Sequence, residues 1–382
     1  MENQKHLFQL EDDVHYFNAA YMSPLLKSVE EKGIEGIRRK RNPQYLKAED
    51  FFSEANELRT LFGQLVNCQA SEVAIIPSAS YGLGSAIQNV IPKAGQYAIM
   101  VEEEFPSAFF PLKRWMEKYE SALKIIETPQ AGGPQGAYLN QLILDAIQEE
   151  SAMLVISSIH WMNGLRFDLE KIGAKCKETG TLLIVDATQS IGSLPLDVKT
   201  LNIDALICAG YKCLLGAYSM GLAYYGEAFH EGIPLEESWM NRSNAVDFRN
   251  LTDYDPQYTA AAGRYNVGEF SNFVLVPMLA ESIRQILEWK PERIQAYCLE
   301  LTRPLLDYCR EKGWPLEDEA YRVGHLLGLQ LPLEMDLEAL LQKLQERKVF
   351  LSLRGNSLRV ATHLYNTPRD IDVLIDTLES CL

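Results

Sequence analysis

The feature that most restricts this chain is an alternation of short apolar runs with amphipathic stretches. EVAIIPS (72–78), QYAIMVEE (96–103), AMLVISSIH (152–160), TLLIVDAT (181–188) and IDALICAG (203–210) have the length and apolarity of buried strands. Between them, LNQLILDAIQEE and DLEKIGAKCKET carry the apolar spacing of helices packed by one face. The alternation predicts an α/β domain with a mostly parallel sheet, in which ligands bind beyond the carboxyl ends of the strands.

Near residue 250 the texture changes. SNAVDFRNLTDYDPQYTAAAGRYNVGEFSN is long, aromatic and irregular, and it precedes two helical patterns, VLVPMLAESIRQILEW and ERIQAYCLELTRPLLDYCREKG, then several short strands. The pattern reads as an N-terminal segment over 1–15, a large α/β domain over 16–255 and a smaller α+β domain over 256–382. A 382-residue chain with 47% hydrophobic and 23% charged residues suits a globular fold and excludes disordered and fibrous classes.

The charge narrows the choice of partners. With 52 acidic against 36 basic residues, the net charge of -16 repels nucleic acid phosphates and anionic membranes. The basic run RRKRNP, Arg38 to Pro43, follows an amphipathic stretch and precedes a proline, so it reads as a cap on the negative end of a helix. Seven cysteines, an odd number without CxxC spacing, suggest reduced thiols; neither a disulfide framework nor a zinc or other metal site is expected. No apolar signal region opens the chain and no run is long enough to span a bilayer, so a cytoplasmic protein is expected.

Chemistry enters with DALICAGYKCLLGAYSMG (204–221), where one lysine, Lys212, sits in a run that is otherwise apolar, small or glycine. Burial disfavours an ammonium and turns the amine toward nucleophilic use. Asp186 ends the apolar run TLLIV, and Lys212 follows just past the next strand. Two successive strands of a parallel sheet would bring carboxylate and amine to the same edge. Pyridoxal phosphate (PLP) needs that pair: a lysine to hold its aldehyde as a Schiff base and a carboxylate to keep its ring nitrogen protonated. Asp186 alone also suits a nucleotide or magnesium site, but that reading requires a P-loop or dinucleotide fingerprint, and neither is present.

LLIVDATQSIGSLPLDV, DALICAGYKCLLG and LRVATHLYNTPRDIDVLIDTL occur in this order, with YFNAAYMSP near the start and EEFPSAFFP between. In these motifs, which span nearly the whole chain, the sequence resembles the fold-type I PLP-dependent enzymes. The branch is the class V aminotransferases, which include cysteine desulfurases, kynureninase and isopenicillin N epimerase. The resemblance implies the PLP-dependent transferase fold: a large domain whose seven-stranded-type sheet is sandwiched by helices, and a small α+β C-terminal domain. It also implies a homodimer whose sites are completed by both subunits.

Residue by residue, the resemblance implies Lys212 as the Schiff-base lysine, Asp186 as partner of the pyridinium nitrogen and Gln189 as partner of the ring hydroxyl. Ser78, Ala79 and Ser80 would form the phosphate-holding turn before a helix, Phe105 would stack on the cofactor, and Tyr211 would help hold the phosphate. Ala209 stands where many relatives carry serine, so one phosphate donor is missing or supplied elsewhere, with Ser271 of GEFSN as a candidate. Arg359 would bind the substrate α-carboxylate, with Trp161 and Asn18 also placed at the substrate.

The substrate end also has a geometric reading. In FLSLRGNSLRVAT, Gly355-Asn356 suits a two-residue hairpin turn that pairs Arg354 with Ser357 and Ser352 with Arg359. Alternation then puts both arginines on one face, as an anion clamp. The interval SLRGNSLR lacks the reactive cysteine of desulfurases, and Ala108 replaces the aspartate that follows FPS or FPT in kynureninase. The expectation is a PLP-dependent aminotransferase acting at Cα of a small amino acid through an aldimine at Lys212. A lyase or epimerase of the same family is the alternative, and a catalytically silent PLP-binding regulatory module lies outside the class. His160 reads as a satisfied core residue.

Overall fold

The apolar runs form five strands of a seven-stranded sheet in the computed structural model, which describes residues 1–128, 133–355 and 357–382. Strand β1 (His15–Tyr16) lies outside this sheet. The sheet contains β2 (Val73–Ile76), β3 (Tyr97–Val101), β4 (Ala122–Ile126), β5 (Ser151–Ser157), β6 (Leu182–Asp186), β7 (Ala205–Ala209) and β8 (Gly221–Tyr225), in the order β2-β8-β7-β6-β5-β3-β4. From β7 to β4 all neighbours are parallel; β8 is antiparallel to both β7 and β2. The expected α/β fold with a mostly parallel sheet is present.

Two-residue alternation along the strands explains why the runs are apolar throughout. Ile75, Val101, Leu154, Val185 and Leu206 face one hydrophobic layer, which contains α1 (Lys27–Arg39), α2 (Ser53–Val66), α5 (Gly136–Ala146), α6 (Leu169–Thr179) and α7 (Leu275–Trp289). Ala74, Ile76, Met100, Val155 and Ile207 face the opposite layer, formed with α3 (Ala79–Gln88) and α4 (Pro106–Tyr119). Burial on both faces leaves no polar side to the central strands. Arg38 and Arg39 lie in the last turn of α1, as the basic run suggested, and Arg39 also pairs with Glu54 at 2.8 Å.

A second core gathers Phe17, the C-terminal half of α8 (Pro291–Glu311), α9 (Leu337–Glu346) and α10 (Pro368–Glu379) around a three-stranded antiparallel sheet. That sheet runs β11-β12-β9, with β9 at Leu326–Gln330, β11 at Ser352–Arg354 and β12 at Ser357–Ala361; β1 pairs separately with β10 (Val349–Phe350).

The two cores meet inside α8: Ile294 and Cys298 belong to the first, Leu301 and Leu305 to the second. We propose that the domain division falls there, beyond the change of texture near residue 255. The cause is packing: Val276, Leu279 and Ile283 of α7 are buried in the large core, and Val267 N donates to Ile75 O of β2 at 3.0 Å. The N-terminal division at residue 15 moves for a similar reason. Phe8 is buried in the large core, whereas Phe17 belongs to the small one and its amide donates to Phe350 O.

Candidate active site

Parallel pairing of β5, β6 and β7 aligns their carboxyl ends at one edge. Ser157 is the register partner of Asp186, and Asp186 of Ile207, so the chain past Ala209 carries Lys212 to the edge where Asp186 already stands. A cavity of about 350 Å³ opens there. Ten of the residues singled out from the sequence line it: Ser78, Ala79, Ser80, Phe105, Trp161, Asp186, Gln189, Ala209, Tyr211 and Lys212. Asn18, Arg354 and Arg359 do not line it.

Burial dominates the electrostatics of the central pair. It lowers the Lys212 ammonium to about 8, with Asp186 opposing the shift and Arg359 adding to it. It also pushes the Asp186 carboxyl up, against a hydrogen bond from Thr188 N to Oδ1 at 2.9 Å and the attraction of Lys212. With a value near 8, about a tenth of Lys212 is neutral amine at pH 7. The Lys212 Nζ lies 5.8 Å from the Phe105 ring centre and 5.7 Å from that of Tyr211.

Opposite them, Ser78 caps α3: its Oγ accepts from Tyr81 N at 3.3 Å and lies 2.8 Å from Ser80 Oγ. Free amides and the helix dipole at this N-terminus favour an anion. Gly82 has a packing role, because a Cβ there would meet the Ile207 and Ile76 side chains at 2.8 Å.

Several contributors were not singled out from the sequence. Glu104 is buried and accepts from Ser157 N at 2.7 Å and Ser157 Oγ at 2.6 Å; burial pushes its carboxyl up, with His160 and Ser157 opposing. The triple acidic run before Phe105 was the available signal, but which of the three turns inward depends on the end of β3. Thr188 links both strand ends, since its Oγ1 accepts from Ala209 N at 3.1 Å. Tyr218 joins Tyr211 with ring centres 4.6 Å apart. His160 is buried with Nδ1 3.1 Å from Asn163 Oδ1, but Nε2 has no partner among the described residues, so it is only half satisfied. Ser271 lines a separate cavity beside Phe51, away from the Ser78–Ser80 turn of its own chain.

The arginines form a second wall. The hairpin has the expected register, Ser352 with Arg359 and Arg354 with Ser357. Gly355 has φ +57°, and its turn partner Asn356 lies outside the described residues. Arg359 is 2% exposed; Nη1 donates to Trp161 O at 2.8 Å, Nη2 to Ser352 Oγ at 3.5 Å, and Nε has no partner among the described residues. Burial lowers it to about 10, with Arg354 adding. Ser352 Oγ also donates to Asn18 Oδ1 at 2.7 Å, so Asn18 meets the site through Ser352. Trp161 stands between the walls, its ring edge-on to Phe105 at 5.5 Å and its Nε1 bonded to Glu103 O at 2.8 Å.

The cavity fits a phosphorylated pyridine aldehyde. Gln189 donates through Nε2 to Ala20 O at 3.2 Å, while its buried Oε1 has no partner among the described residues and can accept from a ring hydroxyl. An uncrowded helix N-terminus, a buried carboxylate and an amine of lowered basicity complete the donor set. The class that this sheet edge defines is the fold-type I PLP enzymes.

Residues 37–314 match the Aminotransferase class-V family, and the chain belongs to it. It is 24% identical to the uncharacterized aminotransferase YcbU of Bacillus subtilis, over 84% of this chain and 82% of that one. It is 25% identical to a kynureninase of Bacillus anthracis, over 79% and 71% of the two chains. The apo cysteine desulfurase of Thermococcus onnurineus superposes with a TM-score of 0.84 at 19% identity, covering 100% of this chain and 98% of that one, a likeness of fold. PLP is the cofactor of this family. Among the described residues, no helix is long and apolar enough to cross a membrane.

Proposed function

We propose that this protein transfers the amino group of a small amino acid, with PLP held at Lys212. The observation that carries the reading is the meeting of Lys212 and Asp186 in one buried cavity beside the N-terminus of α3. The cofactor supplies an aldehyde for the incoming amine and a ring that accepts electrons from Cα. Asp186 would keep a proton on the ring nitrogen, and the Ser78 and Ser80 hydroxyls, the first amides of α3 and Tyr211 would hold the phosphate. Phe105 would cover the ring and Gln189 Oε1 would accept from its hydroxyl. Lys212, its basicity lowered by burial, would take the proton from Cα and deliver it to the carbon of the cofactor's aldehyde rather than back to Cα, the choice that separates transamination from epimerisation. Arg359 orients the α-carboxylate through its free Nε, held in place by Ser352 and Asn18.

Transamination is favoured over desulfuration because no cysteine lines the cavity among the described residues. Ala108 is buried in the apolar layer under α3, so no acid acts from that position. The B. subtilis relative is itself named an aminotransferase. A homodimer is part of the proposal, and exposed Tyr218 and Phe110, 62% and 64% accessible near the cavity, are what a second subunit would cover.

The test is the absorption spectrum of the purified protein before and after borohydride, followed by digestion. A chromophore fixed on the AGYKCLLG peptide is expected; a colourless protein that PLP does not reconstitute would overturn the proposal. With amino acid alone, transamination releases one equivalent of keto acid and no ammonia. Repeated release of ammonia or of a β-substituent would indicate a lyase, and solvent deuterium at Cα without keto acid an epimerase.

A further inference from the structure

Resting on that reading, we propose that the substrate carries a second acidic group. Arg354 binds it on the far side of Trp161 while Arg359 binds the α-carboxylate, which makes the substrate class the amino-dicarboxylic acids.

The hairpin register sets the two guanidiniums diagonally, because Arg354 pairs with Ser357 and Arg359 with Ser352. Diagonal neighbours in an antiparallel pair start roughly 7 Å apart. Their holders then keep them apart: Arg359 is anchored on the Trp161 carbonyl at 2.8 Å, whereas Arg354 Cζ lies 5.9 Å from the Trp161 ring centre. One carboxylate shared by both, as the clamp reading had it, would have to pull one of them off its holder. Two anions would not.

The space agrees. Trp161 lines the inner cavity, and beyond it a second cavity of about 760 Å³ is lined by Arg354, Asn163, Ser357 and Gln330. A substrate held at Lys212 with its α-carboxylate at Arg359 would run its side chain along the Trp161 ring, over which Arg354 stands, to reach that second cavity. Trp161 is a fixed edge for that passage, braced by Phe105 and by Glu103 O.

Charge balance points the same way. Asp186 is committed to the strand-end wall and Glu104 is bonded to Ser157; Glu103 and Lys312 line the outer cavity with Arg354, but Glu103 makes no ion pair with Arg354 among the described residues, and Lys312 pairs with Glu379. Neither Arg354 nor Arg359 is ion-paired among the described residues; their side-chain bonds go to Leu353 O, Trp161 O and Ser352 Oγ. An α-carboxylate neutralises one guanidinium, and a second acid on the same molecule neutralises the other.

The experiment is calorimetric titration of the PLP-loaded enzyme with succinate and with butyrate, in the parent protein and in Arg354→Gln, Arg354→Lys and Arg359→Gln. Succinate should bind at least tenfold tighter than butyrate. Arg354→Gln should remove that advantage and leave butyrate unchanged, Arg354→Lys should keep part of it, and Arg359→Gln should weaken both. Butyrate binding through Arg359 with no succinate advantage overturns this inference alone. An equal loss for both ligands in Arg354→Gln restores the shared clamp and also overturns it. Failure of both acids to bind in the parent protein overturns the amino-acid reading of the site as well.

Discussion

Lys212 and Asp186 stand at the ends of adjacent parallel strands, joined residue by residue through backbone hydrogen bonds, whereas Arg354 and Arg359 reach the site from a three-stranded sheet that belongs to the other core. The first wall cannot shift without breaking the large sheet. The second is placed by docking, through Arg359 on the Trp161 carbonyl and through Gly328 against the backbone of Asn163. A cofactor that must sit at one fixed place is served by the first kind of wall. A substrate that must enter and leave is served by the second.

The sharpest way to separate the walls is Lys212→Met. It should lower turnover by about 10²–10⁴-fold, the range of a lost general base, while circular dichroism shows the fold intact. Retained turnover would break the assignment of the strand-end wall to chemistry. The same variant tests the cost of burial. The folded value of Lys212 near 8 lies below the ordinary lysine value of 10.5, so between these pH values the unfolded chain binds more protons and stability rises with pH. Without cofactor, Lys212→Met should therefore be more stable than the parent at pH 7 by about 3 kcal/mol, with the gap closing as pH approaches 10.5. Denaturant unfolding at pH 7 and pH 10 measures it; a gap that widened with pH would have the wrong sign.

On the other wall, Arg359→Gln removes a charged hydrogen bond to substrate. KM should rise about 10- to 150-fold, from roughly 1.5–3 kcal/mol, with the cofactor spectrum unchanged. A bleached spectrum instead would tie Arg359 to the cofactor side. Gly328→Ala puts a Cβ 2.5 Å from the Asn163 Cα and should cost about 1–3 kcal/mol of stability. Its KM should rise too, while PLP stays bound at its ordinary affinity; loss of PLP would show that the walls are not independent. The smallest effect belongs to Ser352→Ala, which frees Arg359 and Asn18 from each other and should raise KM by no more than about tenfold.

Much of this was legible in the residues because it is local. Runs such as TLLIVDAT and IDALICAG read as strands because both faces are buried, and their succession in the chain brought Asp186 and Lys212 to one edge. The arginine register followed from strand alternation about one tight turn. Strands β4 and β8 were not picked out: ALKII sits at the edge with mixed burial, and GLAYY directly follows the loop that holds Lys212. The change of texture near residue 255 marks a long loop, whereas a domain is a core, and α7 after that loop packs on the large one.

By itself, the sequence determined the α/β class, the sheet edge carrying Asp186 and Lys212, and the common face of Arg354 and Arg359, since periodicity and chain order set these before any long-range contact forms. Only the tertiary structure decided that Arg359 is anchored on the Trp161 carbonyl, that Glu104 turns inward onto Ser157, and that the two cores meet inside α8. Those outcomes depend on pairs such as Asn18 and Ser352, 334 residues apart in the chain, and no local pattern specifies which distant segment will supply the partner.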